Sequence, residues 1–405
     1  MPLSLPDFDL APEQVEFRDT LRRFFEANAP MAETRRVMES VAGLARPLWE
    51  KAGAELGLVG LAIPEAQGGQ GFGLMELGIA LGECGRALAP IPLFSAAALA
   101  GRVVARVLEA SGGKAEDWLA PLAAGQIATL AWQEDGGPAD PARTRLEARP
   151  DGAVYRLTGE KQIVLDAPVA ERFFVVARTP GSAGGEGLGL FAVDPAAAGL
   201  AIEPAEAFDP TRPLATLRFA NVAAQPVGEP GADGSAIGRG LEEATVLLCA
   251  EQIGGMQRVL EAAVDYANAR HQFGRPIGSF QAIKHKCADM LIDFEASRTA
   301  ARAAIEACEA DDPERSLLAS VAKAQCGPAF VRMAIENMQI QGGVGYTWEY
   351  DAHLYYRRAQ SFALLHGSAS EHHDRVARRV AAAEAGIGSK AKPGARAAGG
   401  AGAQR

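Results

Sequence analysis

The chain has 405 residues, which is more than one hydrophobic core normally holds, so two or three domains are expected. Hydrophobic residues make up 48% and charged residues 22%, the balance of an ordinary globular protein. The formal net charge of -10 argues against a nucleic-acid partner, because nucleic-acid binding draws on basic surface.

The cysteines and the N-terminus bear on the compartment. The 5 cysteines are scattered and form no Cys-x-x-Cys pair, which predicts reduced core residues in a cytoplasmic protein. The N-terminus lacks a basic-then-apolar signal pattern, and no apolar run approaches the length of a membrane span. No metal site is predicted, since His372 and His373 are adjacent and their rings point to different sides.

The first third of the chain predicts helices. Residues 12–28 form an amphipathic pattern, with Pro12 suited to a first turn. Further helices are expected at about 47–57, 74–88 and 95–109. Glycines and prolines separate them, including a glycine-rich loop at 68–73. We predict an N-terminal α-helical domain over residues 1–127.

The pattern changes in the middle of the chain. Short runs rich in β-branched and aromatic residues alternate with Gly and Pro clusters, which predicts strands. The predicted strands are Val154–Leu157, Arg172–Ala177, Leu188–Val193 and Leu217–Ala220. We predict a middle β domain, a barrel or a sandwich, over residues 128–230.

Long helices return from residue 234. One of them carries a stripe at helical spacing that predicts a buried face: Phe280, Ile283, Cys287, Met290 and Phe294. Others are expected at about 314–341, 351–364 and 369–384. We predict a four-helix-type bundle over residues 231–385. Residues 386–405 are dominated by Gly, Ala, Lys and Arg and predict a disordered tail.

Two turns in this last part contain the residues that are expected to bind a cofactor. The stretch Tyr266–Asp289 joins two helices through a Gly-Arg-Pro turn. Arg270 stands before that turn, where a planar guanidinium could hold a diphosphate bidentately. The second turn, Gln339–Gly345, is glycine-rich and lets backbone N–H groups come close to a cofactor.

In their order and spacing, these turns resemble the acyl-CoA dehydrogenase flavoprotein family. The glycine-rich loop at 68–73 and the closing stretch Gly345–Tyr355 fit the same pattern, and the similarity covers about residues 8–383. It implies an α domain, a β domain and an α bundle, with FAD as cofactor and an acyl-CoA thioester as substrate. In that family a carboxylate removes the Cα proton while hydride passes from Cβ to the flavin. The expected electron acceptor is an electron-transferring flavoprotein.

The resemblance also implies that each flavin spans two subunits. At least a dimer is therefore expected, and a dimer of dimers is the favoured assembly. One set of family positions binds the ADP half of the neighbouring subunit's flavin. Each of these positions has a suitable residue in this chain. These positions are Arg270, Gln272, Phe273, Gln281, Gln339 and Gly343.

A second set serves the subunit's own flavin, and here the match is incomplete. The family's Thr- and Ser-bearing loop falls on residues 133–140, where those hydroxyls are missing. In the strand at 159–165, Ile163 replaces a Trp and Leu165 replaces a Thr. These residues can still pack against a flavin, but they offer fewer polar partners.

The family's catalytic carboxylate is absent from both of its usual positions. One position is His366, before Gly367 and Ser368; the other falls on Ala244. His366 is a candidate base because an unperturbed imidazole has a pKa of ~6.5. Glu243 is the other candidate, although one residue on a helix is about 100° of rotation. The favoured interpretation of Glu243 is a surface carboxylate near a helix N-terminus. Glu371, one turn past Gly367, is expected to be a solvated charge.

Three hypotheses follow. The first is an FAD-dependent acyl-CoA dehydrogenase that works as a homo-oligomer with an unusual base. The second is a base-deficient subunit of a hetero-oligomeric dehydrogenase, which completes the FAD site of its partner, as in the two-subunit branch of the family. The third is a flavin oxidase or monooxygenase on the same scaffold, since relatives of that kind also lack the usual Glu.

Overall fold

The first 126 residues contribute helices and no strand within the parts that the structure describes. The structure is a computed structural model, and it describes residues 10–40, 43–112, 117–134 and 139–390. Its helices here are α1 (Pro12–Asn28), α2 (Met31–Met38), α3 (Arg46–Ala54), α4 (Leu74–Ala87), α5 (Gly101–Ala110) and α6 (Leu119–Ala123). A π-helical segment of 7 residues, Phe94–Ala100, leads into α5. The predicted first helix has the observed bounds, with Pro12 at its start.

The middle region is a closed β-barrel. Its strands are β1 (Ala128–Ala131), β2 (Glu147–Asp151), β3 (Val154–Leu165), β4 (Arg172–Arg178), β5 (Leu188–Val193), β6 (Leu200–Ala205) and β7 (Leu214–Pro226). Pairing runs β4-β2-β3-β7-β5, and β5 pairs back to β4, so five strands form a ring. Strand β1 adds to β4 in parallel, and β6 adds to β7. Of the two predicted architectures, the barrel is the one formed.

Strand β4 explains how the barrel is fixed to the helices. Alternate side chains of a strand point to opposite faces. Phe173 and Val175 point into the barrel core, whereas Phe174 and Val176 belong to the helical core. Because both faces of β4 are buried, the barrel sits firmly against the helices.

The last part is a bundle of long helices. It comprises α7 (Gly234–Ala269), α8 (Gln281–Glu309), α9 (Arg315–Gln341), α10 (Ala352–Leu364) and α11 (Ala369–Lys390). A short hairpin, β8 (His271–Gln272) with β9 (Arg275–Pro276), connects α7 to α8. Together with the N-terminal helices and the barrel, the bundle confirms the predicted fold class.

Helices α4 and α7 cross closely because glycines remove side chains from the contact. A Cβ on Gly254 would lie 1.7 Å from the carbonyl oxygen of Gly82, and one on Gly85 would lie 2.2 Å from that of Glu251. As a result, the N-terminal helices and the bundle share one hydrophobic core, while the barrel has a second. We keep the domain boundaries after residues 127 and 230 as a proposal.

Two local predictions differ from the structure. The predicted stripe on α8 is buried at Met290 and Phe294, but Phe280, Ile283 and Cys287 are half-exposed in the single chain. Helix α11 continues to Lys390, past the predicted start of the tail at residue 386. Residues 391–405 lie outside the described residues.

The predictions about membrane spans and cysteines can be compared with the structure. Among the described residues, no helix is long and apolar enough to cross a membrane. The five cysteines are free thiols, and four of them are buried.

Candidate functional site

The β8–β9 hairpin presents an aromatic side chain to the outside. Gln272 pairs with Arg275, and the two residues between them, Phe273 and Gly274, have φ angles of +53° and +77°. Two successive left-handed residues are typical of a tight hairpin turn. The Phe273 side chain is 93% exposed, which places a large ring where a partner or ligand can cover it.

Arg270 stands at the exit of α7, directly before this hairpin. Its side chain is exposed and makes no ion pair or hydrogen bond with any part of the chain that the structure describes. By contrast, Arg275 is engaged, since its guanidinium lies 4.2 Å from the centre of the Phe280 ring. Arg270 is therefore free to take an anionic ligand from outside the chain.

The second predicted turn follows α9. Gly342 ends the helix with a φ of +67°, and the next residues form a short 3-10 turn. Gln339 Nε2 donates to the Tyr346 hydroxyl (2.6 Å), and both side chains are exposed. A Cβ on Gly343 would meet no atom of this chain within 4 Å. The space beside Gly343 is therefore open.

Helices α8 and α9 bring the two turns to one end of the bundle. Two ion pairs join these helices, Asp293 to Arg332 and Lys286 to Glu336. An earlier position on α8 faces a later one on α9, so the helices are antiparallel. Continuing that register places Gln281, the first residue of α8, beside the end of α9 that carries Gln339.

Six predicted flavin residues thus form one exposed face, called here the Arg270 surface: Arg270, Gln272, Phe273, Gln281, Gln339 and Gly343. It offers a free guanidinium, an exposed ring, amide side chains and open backbone. These groups fit the ADP half of a flavin that is held mainly by another subunit. The described part of the chain does not itself cover this face.

His366 occupies the expected base position and is enclosed. It has a φ of +60°, only 3% of it is exposed, and it follows the end of α10. Its ring meets the edges of Phe94 and Trp132, with centroids 5.9 Å and 5.5 Å away. The imidazole therefore fills a corner between the π-helical segment, the barrel and the bundle.

The hydrogen bonds of His366 fix its tautomer. The Thr245 hydroxyl donates to the Leu241 carbonyl (2.7 Å), so it accepts from His366 Nδ1 at 3.0 Å. The proton of the neutral ring then resides on Nδ1, and Nε2 carries a lone pair. Nε2 is buried and has no hydrogen-bond partner among the described residues. His366 also lines a cavity of about 480 Å³ between the barrel and the bundle.

Burial and neighbouring cations weaken His366 as a base. Burial lowers its pKa to about 3, and the positive charge of Lys323 acts in the same direction. Lys323 lies inside the bundle, and its Nζ donates to the carbonyls of Phe362 (3.0 Å), Ala363 (3.3 Å) and Gly367 (3.0 Å). This lysine holds the turn after α10 in place.

Glu243, the second candidate base, is held in a buried ion-pair network. With 1% of it exposed, the prediction of a surface carboxylate is wrong. Its Oε2 accepts from Arg102 (2.8 Å) and its Oε1 from Arg106 (2.6 Å), while Arg102 also donates to the Ala62 carbonyl (2.7 Å). With both oxygens engaged, Glu243 ties α7 to α5. We therefore favour a structural role for Glu243 over that of a base.

The positions for the chain's own flavin fit the cofactor poorly. Leu165 is buried, and Ile163 is 37% exposed at a φ of +54°, a strained conformation for a β-branched residue. Glu134 accepts from Lys161 (2.7 Å). Burial lowers the pKa of Lys161 to about 8, against the opposing effect of Glu134. Residues 135–138 of the predicted flavin loop lie outside the described residues.

Glu371, near the start of α11, is not the solvated charge that the sequence predicts. Its Oε2 accepts from Ser368 N (2.8 Å) and Ser368 Oγ (2.8 Å), as in a capping box, so it is not a free solvated charge. The ring of His372 is also buried, and its Nε2 donates to the His366 carbonyl (3.0 Å). No group of three or more potential metal ligands occurs among the residues that the structure describes.

A cavity of about 480 Å³ lies beside this region. The barrel contributes Trp132 and residues 139–141 to its wall, and α7 contributes Leu241 and Thr245. Arginines of α11 complete one side. The cavity lies between barrel and bundle, where the family resemblance expects thioester and flavin.

One buried cluster of charged side chains was not predicted from the sequence. Arg358 on α10 donates to Asp209 (2.6 Å) and Glu251 (2.9 Å), and Arg212 donates to the same Glu251 oxygen (2.7 Å). The partners are 39 to 149 residues apart in the chain, so no local pattern could show them. The available signal was weak: a single acidic residue, Glu251, within an otherwise uncharged stretch of α7.

Comparisons with known proteins agree on one family. Residues 11–126 match the family profile of the acyl-CoA dehydrogenase N-terminal domain, and residues 234–381 match that of the C-terminal domain. A similar curated protein is acyl-CoA dehydrogenase IpdE2 of Mycobacterium tuberculosis (strain ATCC 25618 / H37Rv). It is 32% identical over 354 residues, which is 87% of this chain and 92% of that protein.

Two solved structures of similar chains are each described by the names of two proteins. The Tcur3481-Tcur3483 steroid ACAD variant is 32% identical with a TM-score of 0.81, covering 92% of this chain and 99% of that chain. The ChsE4-ChsE5 complex from Mycobacterium tuberculosis is 26% identical with a TM-score of 0.80, covering 93% and 99%.

Proposed function

The chain belongs to the acyl-CoA dehydrogenase family of flavoprotein oxidoreductases, and from this we propose that it is the base-deficient subunit of a hetero-oligomeric acyl-CoA dehydrogenase. In this role the Arg270 surface completes the FAD site of a homologous subunit. The partner subunit supplies the catalytic carboxylate. Assembly is a dimer or a dimer of dimers, and reduced flavin passes its electrons to an electron-transferring flavoprotein.

The contrast between two sets of residues carries the proposal. Residues that serve a neighbour's flavin are exposed and suitable, and Arg270 has no competing partner among the described residues. At the chain's own base position, the nitrogen lone pair of His366 is enclosed and its pKa is far below the ordinary value. Two of the similar structures are described by the names of two proteins, which supports a two-subunit assembly.

In the shared site, this chain binds the FAD and orients it. When bound, FAD takes up the hydride that leaves Cβ of the thioester. Arg270 neutralises the diphosphate, while Gln281 and Gln339 offer amide groups and Phe273 covers an apolar part of the cofactor. None of these residues moves a proton, which is consistent with a subunit that supplies binding rather than the base.

The first test measures flavin content. The chain purified alone should be nearly colourless, whereas co-expression with a homologous dehydrogenase subunit that has the family Glu should give a yellow complex that desaturates an acyl-CoA. Steroid acyl-CoA thioesters are the first substrates to try, since one similar structure is that of a steroid ACAD. One flavin per chain, with substrate bleaching in the absence of a partner, would falsify the proposal.

A substitution can test the Arg270 surface directly. Arg270→Gln should lower FAD retention in the complex at least tenfold, because the charge-assisted bond to the diphosphate is lost. Arg149→Gln is a matched control, since Arg149 is an exposed arginine on β2 that pairs with Glu147. Equal FAD retention in both variants would contradict the assigned role of Arg270.

The homo-oligomeric dehydrogenase with His366 as base is the second candidate. One observation favours it: His366 Nε2 has a lone pair and no hydrogen-bond partner in the described part of the chain. If it is correct, the chain alone dehydrogenates an acyl-CoA, and His366→Gln abolishes the reaction while FAD stays bound. The flavin oxidase or monooxygenase remains a prediction from the missing carboxylate. The cytoplasm remains the expected compartment.

A further inference from the structure

An apolar groove lies where helices α4, α7 and α8 meet the first described residue of the chain. Its volume is about 150 Å³. It is lined by Met75 and Ile79 of α4, Ile253 of α7 and Phe294 of α8, and the first three are half-exposed. Apolar side chains that are left half-exposed on one surface gain stability when another apolar group covers them.

Guanidinium groups surround the apolar part of this groove. Arg18 of α1 and two arginines of α8, Arg298 and Arg302, also line it. Among the described lining residues the one carboxylate is Glu83, which accepts from Arg22 at 2.6 Å and 3.0 Å. The groove therefore combines an apolar floor with a rim of arginines, which suits an apolar segment that carries carboxylates.

The arginines of the rim can bind more than one carboxylate each. Every one of them pairs with an acidic neighbour on its own helix, at 2.6 to 2.7 Å; these neighbours are Asp19, Glu295 and Glu306. A guanidinium has five N–H donors in a planar fork, so a second carboxylate can join the same group. An acidic segment at the groove would thus extend these pairs into a network.

Residues 1–9, which lie outside the described residues, have the matching chemistry. The next residue, Leu10, lines the groove, so this segment starts beside it. Its sequence, MPLSLPDFD, contains apolar side chains and two carboxylates, Asp7 and Asp9, and no basic side chain. Alternate side chains of an extended chain point to the same side, so Phe8 can follow Leu10 into the groove while the carboxylates turn toward the rim.

The segment is also long enough. Extended chain spans about 3.3–3.6 Å per residue, so Phe8 lies within about 7 Å of Leu10 along the chain. The groove follows α4 from Met75 to Gly82, which is about 10 Å of helix. A short extended stretch before Leu10 therefore reaches the whole groove.

We propose that residues 1–9 bind in this groove as a segment of the same chain, with Phe8 on the apolar floor and Asp7 and Asp9 at the arginine rim. Bound there, the segment joins α1 to α4, α7 and α8. The groove is then covered by the chain's own N-terminal segment and is not a docking site for a partner subunit. This inference does not depend on the proposed function, because neither the Arg270 surface nor the flavin takes part.

A photo-crosslinking experiment on the full chain tests this placement. Benzoylphenylalanine replaces Phe8, and illumination couples it to the side chains within its reach. Mass spectrometry should find the cross-link within one chain, on peptides that carry Met75, Ile79 or Ile253. A cross-link to a second copy of the chain, a cross-link elsewhere on the same chain, or no cross-link would each overturn the proposal.

A substitution in the apolar floor tests the position of the ring. Ile79→Asp should lower the cross-link yield about fivefold, because a carboxylate replaces part of the apolar surface. Ile292→Asp is the matched control, since Ile292 is 67% exposed on α8 and is not among the described residues that line the groove. Equal yields in the two variants would place the ring outside the groove.

A change in the segment itself tests the arginine rim. The double variant D7N/D9N should lower the cross-link yield about twofold at low salt and have no effect at high salt, where ion pairs are screened. Because it alters no residue of the groove, it remains informative even if Ile79→Asp does not fold. An unchanged yield at low salt would contradict the role given to the two carboxylates.

Discussion

His366 shows how one residue can keep its place in a motif and change its chemistry. The sequence places it at the base position, and a free imidazole there is a plausible proton acceptor. The structure surrounds it with Phe94, Trp132 and the charge of Lys323, which lowers its pKa to about 3. His372, one turn along α11, is buried in the same way, and burial lowers its pKa to about 4. Both rings are neutral at physiological pH.

These two histidines should make the fold sensitive to mild acid. In the unfolded chain each has a pKa of ~6.5, so between about pH 6.5 and pH 4 the unfolded state binds more protons than the native state. Stability is fully present above pH 6.5 and falls as the pH is lowered, by up to about 1.4 kcal/mol per pH unit for each histidine. Urea unfolding at pH 7.5 and pH 5.0 measures this loss.

A matched variant separates these histidines from other groups. His271→Gln removes an exposed histidine and should leave the slope of stability against pH unchanged. His372→Gln should flatten that slope. A slope that is the same in wild type and His372→Gln would show that other groups cause the acid sensitivity.

At the scale of elements, the hairpin between α7 and α8 is positioned by two residues with positive φ. Gly274 can adopt its φ of +77° without strain, whereas an alanine there costs about 1–2 kcal/mol. Gly343 has no such requirement, and a side chain on it would meet no atom of this chain within 4 Å. Glycine thus suits the two positions for different reasons: the backbone conformation at Gly274 and the open space beside Gly343.

Alanine at each glycine distinguishes these reasons. In the chain alone, Gly274→Ala should lower the free energy of unfolding by ~1 kcal/mol, and Gly343→Ala should leave it unchanged. In the complex both should reduce FAD retention, the first by moving Phe273 and the second by filling space beside the cofactor. Denaturant unfolding and bound-flavin absorbance are the two measurements. Normal FAD retention in Gly343→Ala contradicts the placement of flavin there.

Elements were predicted well where the signal was local. Helix α1 has its predicted bounds because its apolar residues recur at helical spacing, and strand β5 was predicted residue for residue because it is a continuous apolar run. Burial across elements was not predictable in this way. The stripe on α8 has the spacing of a core face, yet its first turns are half-exposed in the single chain. The hydrogen bonds that link Ala139 to Glu371 and Arg375 join residues 232 and 236 positions apart, which no local pattern reveals.

At the scale of the whole molecule, a buried charge cluster joins the barrel to the bundle. Arg358 links Asp209, which precedes β7, with Glu251 on α7, and all three are almost fully buried. Breaking such a pair leaves a charge without compensation in the interior. The family resemblance predicted the arrangement of the three regions but gave no sign of this contact.

Removing Arg358 should therefore destabilise the chain as a unit. Arg358→Met is expected to lower the free energy of unfolding by about 3–5 kcal/mol, since Asp209 loses its guanidinium partner. Arg332→Met removes an exposed pair with Asp293 and should have a far smaller effect. Chemical denaturation followed by circular dichroism compares them. Equal losses in the two variants would argue against a stabilising role for the cluster.

The glycine crossing of α4 and α7 also has a consequence for synthesis on the ribosome. Helix α4 is complete at Ala87, but the helix on which it packs ends at Ala269. At about 5–20 residues per second, roughly 10–40 seconds pass between the two events. During that time the apolar faces of the early helices lack their partner. The nascent chain should bind general chaperones until α7 has emerged.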